Sequence, residues 1–158
     1  MPETYDIGGY GGMVADRVRT DAYAAAIARE VRPGSVLLDI GAGAGVLSLL
    51  AVRAGARRVY AVEPADAIHA AREIARENGM ADRIQLIQGI STEIRLPERA
   101  DVIVSDLRGA LPLFQHHVAS IADARARLLA PGGVLIPRAD TLRAAPVQAD
   151  EAYRRIVG

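Results

Sequence analysis

Three glycines and one glutamate have the types and spacing expected of a nucleoside site. Gly41, Gly43 and Gly45 follow the apolar run 35–40, and Glu63 ends the next apolar run. A glycine turn between a strand and a helix exposes bare backbone and a helix N-terminus to a ligand. An acid at the end of the second strand is placed to accept hydrogen bonds from a ribose diol. This pattern predicts that a nucleoside binds here, with or without phosphates.

A diphosphate ligand is disfavoured by the same turn. Dinucleotide-binding turns have the spacing G-x-G-x-x-G, whereas this turn reads G-x-G-x-G and places Val46 where the last dinucleotide glycine would stand. A nicotinamide-dependent enzyme is therefore the disfavoured alternative.

Polar side chains also follow a later apolar run, 101–105. Asp106 stands directly after it, and Arg108 and Gln115 lie further along the same loop. Ligands of open α/β sheets bind along the edge where the strands end, so Asp106 is predicted to lie at the ligand-binding edge.

His116 and His117 are further candidates for proton transfer, because histidine titrates near neutrality. Adjacent helical positions point in different directions and no third ligand is near, so we predict no metal site. The pair is expected on the surface of a helix, with a general base as the alternative.

Helical and strand-like segments alternate along the chain, which predicts a doubly wound, mostly parallel α/β sheet. Proline and glycine end several of these segments. A further extended segment is predicted at 141–147, and the beginning of a helix at 150–157. The predicted helices are 13–31, 46–54, 67–77 and 113–129, and the predicted strands are 35–40, 58–62, 83–88, 101–105 and 134–137.

Composition limits the class of protein. The chain has 158 residues, of which 51% are hydrophobic and 4% aromatic, so a core of small aliphatic side chains is expected. Its formal net charge of zero indicates neither a nucleic-acid nor a membrane partner. It has no cysteine, hence no thiolate metal site, and no signal peptide or long apolar span is visible. A cytoplasmic location is the default expectation.

Two segments resemble a known family. The segment 13–20, with the pattern M-x-x-D-x-x-R-T, and the segment 54–63 are similar to the cofactor domain of protein arginine methyltransferases, within the class I S-adenosylmethionine-dependent methyltransferases. The similarity runs from about Tyr5 to the C-terminus. It implies a Rossmann-like fold with an N-terminal lid helix, and S-adenosyl-L-methionine as cofactor, which leaves as S-adenosyl-L-homocysteine.

The resemblance also implies a division of the chain. Residues 1–32 would form the lid segment and its helix, 33–147 the cofactor-binding domain, and 148–158 the start of a helix at a truncation point. The β-barrel and dimerisation arm of that family do not fit in 158 residues. The expectation is the cofactor half of a longer protein, with a homodimer left open.

Cofactor contacts carried over by resemblance begin in the lid and end in the loop after the fourth strand. Arg19 would pair with the carboxylate of the cofactor, since a guanidinium forms a bidentate fork. In the family, an acidic residue holds the adenine, and in this chain Thr92 occupies the matching position. The full predicted set is Tyr10, Met13, Arg19, Asp39, Gly41, Gly43, Glu63, Ile90, Ser91, Thr92 and Asp106.

The predicted acceptor residues depart from the family pattern. Two glutamates clamp the target arginine in the family, whereas this chain has Asp106 and the neutral Gln115, with Arg108 between them. If Arg108 points inward, a cationic guanidinium is a poor guest and a neutral or anionic acceptor, protein or small molecule, is favoured. The alternatives are true arginine methylation through Asp106, and a module that holds cofactor without methylating anything.

Overall fold

A five-stranded parallel sheet lies at the centre of the chain. The computed structural model describes residues 12–13, 15–108, 116–146, 148–149 and 154–155. The strands are β1 (Val36–Ile40), β2 (Arg58–Glu63), β3 (Ile84–Gln88), β4 (Ala100–Ser105) and β5 (Leu129–Ile136). Their order across the sheet is β3-β2-β1-β4-β5. The longer helices are α1 (Arg17–Glu30), α2 (Val46–Arg53), α3 (Ala67–Glu77) and α4 (His117–Arg127), with a short 3₁₀ turn at Ala81–Arg83. Residues 12, 13, 15, 154 and 155 are also helical.

Side chains alternate between two cores on the faces of this sheet. Leu37 belongs to the cluster that also includes Ile27 of α1 and Val52 of α2, whereas Leu38 belongs to the cluster that includes Ala124 of α4. All five residues of β1 are buried, as expected for a central strand covered on both sides. The fold is the predicted α/β Rossmann-like arrangement.

The strand order reverses beside β1, because β2 pairs with one edge of β1 and β4 with the other. Such a switch point leaves a crevice at the carboxyl ends of the two central strands. The glycine turn after β1 and Asp106 after β4 both stand at that crevice.

The helix predicted at 13–31 is interrupted near its start. Residues 12, 13 and 15 are helical, whereas Asp16 is not. Asp16 is the N-cap of the longer helix, and its Oδ1 accepts a hydrogen bond from Arg19 N at 3.2 Å, so α1 runs from Arg17 to Glu30. The glycine-rich segment 1–11 lies outside the described residues.

The last strand differs most from the prediction. It starts at Leu129 rather than at 134, and passes through Pro131 and Gly132 with a register shift opposite Ala100 and Val102. Gly132 has φ +79°, which lets the chain form a bulge instead of leaving the sheet. The helix predicted at 113–129 is described only from His117 and ends at Arg127. Residues 141–146 of the extended segment predicted at 141–147 form no strand of the sheet. Most of 150–157 lies outside the described residues.

Candidate active site

The glycine turn is hydrogen-bonded to the neighbouring strand. Gly41 N and Ala42 N both donate to Val62 O, at 2.9 and 3.0 Å, and Gly43 N donates to Glu63 Oε2 at 2.9 Å. Gly41 and Gly45 have φ +74° and +81°, a backbone conformation that residues other than glycine rarely adopt. Because three of its amides are already engaged, the turn does not offer the row of free donors that a diphosphate needs.

Glu63 is held by two backbone amides at the carboxyl end of β2. It is 6% exposed, and Ala65 N donates to its Oε1 at 2.9 Å, opposite the bond from Gly43 N. A carboxylate has about four acceptor positions, so two bonds leave room for two more. Glu63 is thus fixed in place with acceptor capacity for a pair of hydroxyls.

Asp39 is fully buried beside this turn. Ser48 Oγ donates to its Oδ2 at 2.7 Å, and its Oδ1 has no hydrogen-bond partner in the described part of the chain. Burial raises the pKa of Asp39 to about 7, with smaller increases from Glu63 and Asp106, against the opposing effect of the Ser48 hydrogen bonds. The orphaned oxygen can accept a hydrogen bond from a bound group.

Arg19 pairs with Asp106 through Nε and Nη2, both directed at Oδ2. Its Nη1 donates to Met13 O at 2.9 Å, and its guanidinium lies 5.7 Å from the centre of the Tyr23 ring. The structure therefore joins a predicted cofactor residue directly to a predicted acceptor residue.

Tyr23 is a site residue that the sequence analysis missed. Its hydroxyl lies 3.1 Å from both Ser105 O and Asp106 Oδ1, and Arg108 Nη1 is 3.5 Å from the hydroxyl oxygen. Burial, followed by the charge of Asp106, raises the pKa of Tyr23 far above its usual value, so it stays a neutral donor. Its position four residues after Arg19, on the same helix face, is the signal that identifies it.

Arg108 points inward. Its side chain is 20% exposed and its Nε lies 3.0 Å from Asp140 Oδ1, an ion pair that is not aligned as a hydrogen bond. Nothing in the sequence singled out Asp140. The preceding residue, Leu107, packs directly against Gly41.

The turn after β3 is held by α4. Arg127 donates to Ser91 O and to Ile94 O, both at 2.9 Å, and is itself held by Asp123 at 2.6 and 2.8 Å. Ser91 is buried, whereas Ile90 and Thr92 are exposed. The adenine contacts proposed for this turn stay a prediction, as do those of Tyr10 and Gln115, which lie outside the described residues.

The two adjacent histidines have different environments. His116 is exposed as predicted, but His117 is 8% exposed and its Nδ1 has no hydrogen-bond partner in the ranges described, so the predicted surface pair is wrong. Burial, and then the charge of Arg108, lowers the pKa of His117, which leaves the ring neutral at pH 7. The first turn of α4 lies against the sheet and directs this one ring inward.

No group of three histidine or acidic side chains in the described ranges is arranged to hold a metal ion. None of the described helices is long and apolar enough to cross a bilayer.

The parallel sheet, its glycine turn and the acid that ends β2 together define a class I methyltransferase domain. The family model for ribosomal protein L11 methyltransferase (PrmA) matches residues 20–148, and the chain belongs to this methyltransferase family. Its relatives are named protein arginine methyltransferases, which confirms the resemblance found in the sequence.

Two rice relatives show how far the similarity extends. The chain is 38% identical over 149 residues to probable protein arginine N-methyltransferase 6.1 of Oryza sativa subsp. indica, covering 93% of this chain and 39% of the relative. It is 41% identical over 146 residues to protein arginine N-methyltransferase PRMT10 of Oryza sativa subsp. japonica, covering 91% of this chain and 38% of the relative. The chain thus spans well under half of the relatives it matches.

Solved structures of protein arginine methyltransferases are also similar to this chain. The Trypanosoma brucei PRMT1 enzyme-prozyme heterotetrameric complex with AdoHcy superimposes with a TM-score of 0.78 at 36% identity, covering 82% of this chain and 42% of that one. Arabidopsis thaliana protein arginine methyltransferase 10 also gives a TM-score of 0.78 at 36% identity, covering 83% and 38%.

Proposed function

We propose that this chain binds S-adenosylmethionine at the carboxyl ends of β1 and β2 and transfers the methyl group to an acceptor beside β4. The observation that carries this proposal is Glu63, fixed by Gly43 N and Ala65 N with acceptor positions to spare. The AdoHcy named in the Trypanosoma brucei complex supports the choice of cofactor.

The residues present fit such a cofactor. Glu63 offers acceptors for a ribose diol, and Asp39 Oδ1 is an acceptor without a partner in the described chain. Arg19 lies at the end of the crevice near β4, where its guanidinium can exchange part of its pairing with Asp106 for the carboxylate of the cofactor.

When bound, the cofactor supplies an activated methyl group for an in-line displacement. The side chains bind and orient, so no nucleophilic serine or cysteine is required. Fixing donor and acceptor in line can lower a barrier by about 7–11 kcal/mol. Arg19 and Glu63 would fix the two ends of the donor, while Asp106 and Arg108 face the acceptor.

We propose that the acceptor is neutral or anionic rather than an arginine. Asp106 is already engaged by Arg19 and by the Tyr23 hydroxyl, and Arg108 brings a second positive charge to the same place. Two like charges about 4 Å apart repel by ~4 kcal/mol at an effective dielectric of 20. Protein arginine methylation is the second candidate, because the relatives carry that name.

Calorimetric titration with S-adenosylhomocysteine tests the proposal. We expect micromolar binding by the wild-type chain and by the exposed-site control Glu77→Ala, and about a 100-fold weaker affinity for Glu63→Ala, since hydrogen bonds to a buried charge contribute about 1.5–3 kcal/mol each. A folded wild-type chain that binds NAD and does not respond to S-adenosylhomocysteine would overturn it.

A further inference from the structure

Three residues with buried, unpaired polar atoms line one small cavity beyond the cofactor crevice. Ser105 Oγ, Arg108 Nε and His117 Nδ1 each lack a hydrogen-bond partner within the described ranges, and all three residues line the same cavity of about 100 Å³. The cavity lies where β4 and β5 end, under the first turn of α4. Ser105 and His117 are 2% and 8% exposed, so bulk water does not solvate them freely.

Such a cluster is unusual in a folded protein. Leaving one buried donor or acceptor unpaired costs about 1–3 kcal/mol, and the large majority of buried polar side chains are paired. A cavity known to hold benzene measures about 150 Å³, so this one accommodates a head group of a few non-hydrogen atoms. The convergence of three unpaired groups therefore indicates a site for a small polar group.

The chemistry of the three atoms restricts that group. Arg108 Nε–H can only donate, so the ligand must present an acceptor. The Ser105 hydroxyl can donate, and neutral His117 can carry its proton on Nδ1. A carboxylate, with two oxygens and about four acceptor positions, can take all three bonds. A guanidinium has only donors and would leave Arg108 Nε unpaired.

The surrounding charges also favour an anion. Arg19 is paired with Asp106, and Arg108 lies against Asp140, whereas Arg138 at the rim of the cavity adds a positive charge. Asp140 Oδ1 opposes an anionic ligand, but its 3.0 Å contact with Arg108 Nε is not aligned as a hydrogen bond, so that N–H lacks an acceptor in the described ranges. The side chains around the cavity thus carry one excess positive charge.

We propose that the cavity formed by Ser105, Arg108 and His117 binds a carboxylate of the methyl acceptor. This inference rests on the proposed function, since Ser105 directly precedes Asp106 and the cavity adjoins the position proposed for methyl transfer. A bound carboxylate would anchor the acceptor and select acidic molecules. It would also exclude guanidinium groups.

The test uses three matched small probes. Acetate, acetamide and methylguanidinium are titrated into the wild-type chain while the imidazole resonances of His117 are followed by NMR. We expect saturable shifts with acetate and much weaker ones with acetamide and methylguanidinium, and the exposed His69 and His116 report non-specific effects. Arg108→Gln should weaken acetate binding about tenfold, whereas Arg125→Gln, at an exposed arginine on the helix that carries His117, should not.

Several outcomes would overturn the inference. Equal responses to acetate and acetamide, preference for methylguanidinium, or no saturable shift would show that the cavity holds water or another group. S-adenosylhomocysteine is titrated into the same samples. Cofactor binding without acetate binding refutes the carboxylate site alone. Acetate binding without cofactor binding refutes the proposed function, and with it the assignment of the carboxylate to a methyl acceptor.

Discussion

Arg19 and Asp106 form an ion pair across 87 positions of sequence, joining the first turn of α1 to the end of β4. Both side chains are largely shielded from solvent, at 28% and 18% exposure, so the pair is screened less than one on the open surface. The pair places the helix that would hold the cofactor carboxylate and the loop that would face the acceptor in direct contact.

Replacing Arg19 by alanine should weaken cofactor binding more than it weakens the fold. We expect the dissociation constant of S-adenosylhomocysteine to rise about 10- to 100-fold, since a charge-assisted bond contributes about 1.5–3 kcal/mol. The measurement is calorimetry beside Arg17→Ala, an exposed arginine two residues away. Equal affinities for the two variants would show that Arg19 has only the structural role of pairing with Asp106.

Tyr23→Phe should lower the free energy of unfolding by about 1–2 kcal/mol, because the one hydroxyl proton shared between Asp106 Oδ1 and Ser105 O is lost while the ring stays in place. Urea unfolding measures this change. Tyr60→Phe is the matched control, since its hydroxyl donates to the half-exposed Glu98 at 3.1 Å and its loss should matter less. A larger effect at Tyr60 would contradict the importance given to the Tyr23 hydroxyl.

Asp39 should make stability depend on pH in an unusual direction. Its pKa rises from 3.8 to about 7 on folding, so between these values the native state binds a proton that the unfolded state lacks. Its contribution to the free energy of unfolding therefore falls as pH rises through this window, by at most about 1.4 kcal/mol per pH unit, and levels off above it.

Urea unfolding of wild type and Asp39→Asn at several pH values isolates this contribution. The difference in the free energy of unfolding between the two proteins should change from pH 4 to about 7 and stay constant at higher pH. Asp82→Asn, at an exposed acid, should show no such window. A constant difference for Asp39→Asn would mean that the carboxyl titrates normally in the folded chain.

Arg108→Gln should improve any methylation of arginine peptides, because it removes the positive charge that faces an incoming guanidinium. A radiolabelled methyl-transfer assay compares it with wild type and with Arg125→Gln. An increase of about tenfold or more corresponds to at least 1.4 kcal/mol of repulsion removed. If wild type already methylates these peptides and Arg108→Gln does so less well, the second candidate function is favoured.

Local patterns sufficed to predict the sheet and the crevice. The runs that became β1, β2 and β4 are apolar, and the acids at their ends, such as Glu63 and Asp106, lie on one edge because parallel strands all end there. The predicted start of β5 was wrong because Pro131 and Gly132 are typical of a strand boundary, whereas pairing with β4 carries the strand through a bulge.

The site residues that the sequence did not indicate are identified only by long-range contacts. The Tyr23 hydroxyl contacts Asp106, which lies 83 positions later in the sequence. Asp140, which follows β5, contacts Arg108, which follows β4. His117 could not be separated from His116 by spacing, since which of two adjacent helical residues faces inward depends on how α4 packs. These contacts depend on the tertiary structure and cannot be predicted from the local sequence.

The contact between Leu107 and Gly41 has a kinetic consequence. The Leu107 side chain lies on the side of Gly41 where a Cβ would project, so a ligand that occupies this side must wait until that side chain has moved aside. The apparent dissociation constant then exceeds the intrinsic one by the inverse of the uncovered fraction. At saturating ligand the observed association rate should level off at the rate at which Leu107 uncovers the turn, and trimming Leu107 to alanine should raise that plateau.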